Sequence, residues 1–105
     1  MIKYNNKPII YQYIKNRKGN LVGCVAAVDN DKIGYSLCNT NAGDVFNKKR
    51  AVAMAVGRAN VNPVRSDMTT VPNSIHKHIV AMEERAGRYF KNSSEPVITQ
   101  FVFKV

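Results

Sequence analysis

Three consecutive cations, Lys48, Lys49 and Arg50, stand where the sequence predicts the first turn of a helix. The helix dipole already places partial positive charge there, so local electrostatics disfavour them. An anion docked at that end reverses the sign of the cost. Phosphate is the usual ligand of such a site, assisted here by backbone N–H groups of residues 39–43. Asn47, Arg50, Met54 and Arg58 fall on one arc of the helical wheel, a ladder able to follow a phosphate backbone. A second zone lies upstream. Tyr11 and Tyr13 share a strand face with Lys15 and adjoin Arg17 and Lys18, which sets aromatic surfaces beside cations as in platforms that stack single strands. Each zone also has a plain structural reading. The cations suit a solvated helix face, and tyrosines on an alternating strand are more commonly packed under a helix.

No other residues assemble into recognisable chemistry. His76 and His78 are the only histidines, and no motif joins either to a nucleophile such as Ser36 or Cys38. Asp29 and Asp31 belong to a turn, while Glu83 and Glu84 point in different directions on a helix. Cys24 and Cys38 are too few and wrongly spaced for a zinc site. They read as small packing residues, and a disulfide between them requires a hairpin register that sets them opposite each other. The expectation is a non-enzymatic protein with no catalytic residues, no metal and no cofactor.

The charge balance agrees with a binding role. Sixteen Lys and Arg against seven Asp and Glu give a formal charge of +9, a field that favours polyanions. The cations are scattered from Lys3 to Lys104 without a long run, so that field must come from a folded surface. At 105 residues, 45% of them hydrophobic, the chain is sized for a single domain spanning residues 1–105 with one core. Its first ten residues lack the pattern of a secretory signal, and the longest apolar run, residues 21–28, is far short of the ~20 residues of a membrane helix. A cytoplasmic protein with no membrane contact is expected.

These residues must be positioned by a small set of elements. Residues 8–15 alternate Ile9, Tyr11 and Tyr13 with Ile10, Gln12 and Ile14, which predicts a strand. After the turn at residues 16–20, the apolar run 21–28 predicts a strand with both faces covered, and residues 33–38 a third. Asp44 is the expected N-cap of a helix reaching Ala59, whose apolar side carries Phe46, Val52, Ala53, Val56 and Ala59. Pro63 and Pro72 bound an irregular loop. Ile75, Ile79, Met82, Ala86, Tyr89 and Phe90 then recur at helical spacing through about Lys91, and residues 97–104 predict a last strand. The second helix interleaves Lys77, Arg85 and Arg88 with its glutamates and reads as structural. The expected fold is α+β, a four-stranded antiparallel sheet with two helices packed on one face, in the order β-β-β-α-α-β. A bare opposite face would be free to pair with a second copy as a homodimer.

One pattern has a known likeness. Ile33-Gly34-Tyr35-Ser36-Leu37-Cys38-Asn39, then Phe46-Asn47-Lys48-Lys49, then Ala55-Val56-Gly57-Arg58-Ala59 resembles a pattern in small proteins of tailed bacteriophages. The resemblance covers the third strand and the first helix. It implies a phage origin and a role in the host cytoplasm, and carries over no catalytic residue. Small phage proteins commonly bind host nucleic-acid machinery or block host defences, so an acidic host protein surface becomes the rival partner to DNA or RNA.

Overall fold

The computed structural model describes residues 3–4, 7–38, 43 and 45–93. A short hairpin opens the chain, β1 (Lys3–Tyr4) against β2 (Lys7–Pro8). Three longer strands follow as an antiparallel sheet: β3 (Ile10–Lys15), β4 (Leu21–Asp29) and β5 (Lys32–Leu37), in spatial order β3-β4-β5. The chain continues into α1 (Lys48–Val61), a one-turn 3-10 helix (Asn73–Ile75) and α2 (His76–Ser93). The β3-β4-β5 meander and both helices match the sequence reading. The opening hairpin was not anticipated, because two-residue strands leave no period to read. The expected last strand, residues 97–104, lies outside the described residues.

Alternation along the middle strand decides the layering. Cys24 and Ala26 pack with Ile9, Ala51, Val52, Ala55 and Val56, which is the α1 side. Val25 and Ala27 pack instead with Ile10, Ile14, Ile33, Ile75, Ile79, Met82, Ala86 and Phe90, which is the α2 side. The helices therefore lie on opposite faces of the sheet, one layer each, and the expectation of both on one face is corrected. The physical reason is the composition of β4. Its continuous apolar run leaves both faces needing cover, and a helix pair on one side would leave Cys24 and Ala26, or Val25 and Ala27, against water. The loop from α1 to α2 carries the chain around the β5 edge between the layers, and the Val64 N–H donates to the Ile33 carbonyl on the way (2.9 Å).

The two layers are built differently. The α2 side uses large residues, with Ile33, Ile75, Ile79 and Met82 fully buried. The α1 side uses small ones: Ala51, Ala55 and Ala59 face Gly34 and Ser36 of β5. A Cβ on Gly34 would overlap the Ala55 carbonyl oxygen and the Ala59 nitrogen, so the helix backbone sits directly on the strand. Ser36, buried beneath the helix, donates its hydroxyl to the Ala51 carbonyl at 2.8 Å, which satisfies it there. Ala51 and Ala55 occupy places in the buried seam, whereas Ala53, expected there, is only half-buried.

Candidate nucleic-acid interface

The start of α1 is held by Asn47. Its side-chain oxygen accepts from the Arg50 N–H at 2.9 Å, and its backbone is extended, as a cap requires. The cap is thus three residues later than the expected Asp44, which lies outside the described residues. With Asn47 as cap, Lys48, Lys49 and Arg50 form the first turn itself, and all three are exposed. That turn holds no acidic residue, and among the described residues none of the three cations is in an ion pair. Asn47 uses one of the free amide donors internally, so an incoming anion would meet the remaining N–H groups together with three cationic side chains.

Register links this turn to the second zone. Tyr13 pairs with Cys24, Cys24 pairs with Ser36, and Ser36 is bonded to Ala51 in the first turns of α1. The β3–β4 turn, the end of β5 and the start of α1 therefore share one end of the molecule. Lys15, Arg17 and Lys18 are exposed at that end, as are Lys48, Lys49 and Arg50. Asn16 builds the turn: its side chain accepts from the N–H groups of Lys18 and Asn20, both at 3.0 Å, and Gly19 adopts a positive φ of 85°. Asp29 and Asp31 lie in or beside the β4–β5 turn, at the opposite end of the sheet.

Tyr11 and Tyr13 are neither bare nor core. Both are half-buried on the α1 side, edge to face with each other at 5.5 Å between centroids. Tyr13 meets Phe46 edge to face at 6.0 Å, and the Lys48 ammonium lies 5.7 Å from the Tyr13 ring centre. Burial first, then the Tyr11 phenol, pushes the Tyr13 hydroxyl above its ordinary pKa, so it stays a neutral donor. The contact of Tyr13 with Phe46 and Lys48 spans more than thirty positions of sequence. No periodicity reveals it.

Arg58 sits apart from the other cations of the expected site. Its guanidinium donates to the Tyr35 carbonyl at 3.0 Å, so it caps the outer edge of β5 from the last turn of α1 and is removed from the basic end by the length of the helix. A cleft of about 200 Å³ opens beside the basic end, lined by Leu37, Cys38, Phe46, Asn47, Arg50 and Met54 among others. Sequence reasoning missed it, because it forms where the end of β5 meets α1. Leu37 (42%), Met54 (38%) and Val45 (89%) are notably exposed for apolar residues.

Neither cysteine is in a disulfide. Cys38 donates its N–H to Val22, so the register sets it opposite Val22, while Cys24 faces Ser36. Burial pushes the Cys24 thiol up to about 11, which keeps it protonated. A thiol reagent at pH 8 is expected to label Cys38 in the folded protein and to reach Cys24 only in denaturant, a result that peptide mass mapping reads directly. His78 is half-buried, and burial together with Lys77 holds its pKa below the ordinary value. Among the described residues, no group of three or more His, Cys, Asp or Glu is placed to hold a metal ion. No helix among them is long and apolar enough to cross a membrane.

Comparison with models of protein families, with curated proteins and with solved structures finds no match for this chain.

Proposed function

We propose that the protein binds nucleic acid without catalysing a reaction, through phosphate contacts of weak sequence specificity at its basic end. One observation carries the reading. Six exposed cations from two sequence-distant segments, Lys15, Arg17, Lys18, Lys48, Lys49 and Arg50, converge on one end of the sheet. Among the described residues of those segments there is no carboxylate. A cluster of this kind raises the local concentration of a polyanion and positions its backbone, while carrying little information about base identity. Tyr11 and Tyr13 border the cluster, where their half-exposed rings could meet an unpaired base. Arg58 belongs to the β5 edge in this reading and makes at most a peripheral contact. A phage origin, with action in the host cytoplasm, remains part of the proposal.

Fluorescence anisotropy with single- and double-stranded DNA and RNA across a salt series tests it. Six cations fully engaged on duplex DNA would give a slope of log K against log salt of about −5, at about −0.9 per phosphate contact. A slope near zero, or no binding at low salt, removes the reading.

A second reading rests on the apolar rim. Leu37, Val45 and Met54 are exposed around a cleft too small for a drug-sized ligand, with Arg50 in its wall, an arrangement that suits an apolar side chain from an acidic protein surface. Recovery of one stoichiometric host protein after nuclease treatment, lost on Met54→Glu, would favour it.

A further inference from the structure

The loop that closes the β5 edge also walls a cleft. Its course is fixed at three points: the Val64 N–H donates to the Ile33 carbonyl at 2.9 Å, the Ser66 N–H donates to the Glu83 carboxylate at 2.9 Å, and Val71 is buried in the core on the α2 side. Between this loop, the end of α1 and the strand lies a cavity of about 590 Å³, the volume of a small-molecule site. Tyr35, Val64 and Met68, half-buried against the α2-side core, give it an apolar wall, and exposed Arg58, Asn62 and Thr70 give it a polar one. Among the described residues that line it, none is acidic.

The polar wall holds donors that the fold does not use. Arg58 directs one N–H to the Tyr35 carbonyl at 3.0 Å, a neutral partner, and among the described residues it is in no ion pair, so most of its guanidinium fork is left over. The bond from the Cys38 N–H to the Val22 carbonyl (2.7 Å) fixes the alternation of the ladder, with Gly34 and Ser36 bonded toward β4 and the Tyr35 peptide group turned outward. Its N–H meets no acceptor among the described residues. A guanidinium fork beside a hydroxyl and an outward amide suits the oxygens of a phosphate. An aromatic ring beside a thioether suits a flat aromatic body. A carboxamide, donor next to acceptor, matches the edge of adenine. Inorganic phosphate alone would leave most of the volume empty, and an uncharged aromatic would leave the guanidinium unpaired. We propose that this cleft binds a nucleoside monophosphate, its phosphate on Arg58 and Thr70, its base against Tyr35 and Met68, and the base edge on Asn62. The cleft lies the length of α1 away from the basic end, and its occupancy does not depend on whether that end binds a polynucleotide.

Amide chemical-shift mapping by NMR on the full chain with adenosine monophosphate tests it, with adenosine and inorganic phosphate as the two half-ligands. Saturable shifts are expected at Tyr35, Arg58, Val64, Met68 and Thr70, with an affinity at least about tenfold above that of either half-ligand. Arg58→Gln and Thr70→Glu should each weaken binding by about tenfold or more. Thr70→Glu sets a carboxylate in the wall at an exposed position and leaves the bond from Arg58 to the Tyr35 carbonyl in place, so its effect is separate from any loosening of the edge. A dinucleotide that binds the same residues more weakly than the monophosphate marks a free nucleotide as the occupant, and one that binds more tightly marks the end of a strand. Shifts confined to residues 15–18 and 48–50 would overturn the proposal, since they report only attraction of an anion to the basic end. So would inorganic phosphate binding as tightly as the nucleotide, wild-type affinity in Thr70→Glu, or no saturation at nucleotide concentrations on the order of millimolar.

Discussion

Gly34→Ala is expected to destabilise the protein by about 3 kcal/mol, a fall in Tm of roughly 10 to 20 °C for a domain of this size. The added methyl has no flexible side chain to displace, because what it meets is the backbone of α1 at Ala55 and Ala59. Relief therefore requires the helix to lift from the strand, opening the seam of Ala51, Ala55 and Ala59 and stretching the bond from Ser36 to the Ala51 carbonyl. Gly57→Ala is the matched control. A Cβ there meets nothing within 4 Å, so the same chemical change in the exposed part of α1 should stabilise by about 0.5 to 1 kcal/mol through helix propensity alone. Thermal unfolding of the two variants beside wild type reads both signs. Equal Tm values for Gly34→Ala and wild type would mean that α1 does not rest on β5.

Reversing Lys48 and Lys49 together to Glu should weaken nucleic-acid binding by at least 100-fold at low salt and reduce the salt slope by about 2, the share of two phosphate contacts. The same change should leave the protein more stable, not less. The introduced carboxylates stand in the first turn of α1, where the dipole favours them by about 0.3 to 1 kcal/mol each. They also remove the repulsion among three adjacent cations. The opposite signs separate this outcome from misfolding: a binding loss accompanied by a raised Tm cannot come from a damaged fold. Retained affinity would move the interface elsewhere, and a lowered Tm would show that the lysines make structural contacts beyond the 5.7 Å approach of Lys48 to Tyr13.

Much of the scaffold was readable because its signals are local. The alternation of residues 9–14 gave β3, and the recurrence from Ile75 to Phe90 gave the buried face of α2. The layering was not readable in the same way. β4 announced two buried faces, but which helix covers which face depends on the path of the loop after Val61, which no periodicity encodes. The cap shifted from Asp44 to Asn47 because both types cap well and propensity does not choose between neighbours. Within the candidate site, the two basic segments were each visible, whereas their meeting depended on the register from Tyr13 through Cys24 to Ser36. The bond that Arg58 makes was hidden for a related reason. Its partner is a backbone carbonyl 23 residues away, and nothing in the side-chain pattern marks a carbonyl as needing a donor.

The covered β5 edge has a consequence for how copies of this chain can associate. Extension of a sheet from molecule to molecule needs two open edges on every unit, one to accept the previous copy and one to receive the next. With Val64 and Arg58 holding the Ile33 and Tyr35 carbonyls, the β5 edge of the three-stranded sheet is blocked, and among the described residues β3 is its other edge. Pairing of copies through the described edges of this sheet then runs from β3 to β3, an arrangement related by two-fold symmetry that closes on itself and does not propagate into a fibre.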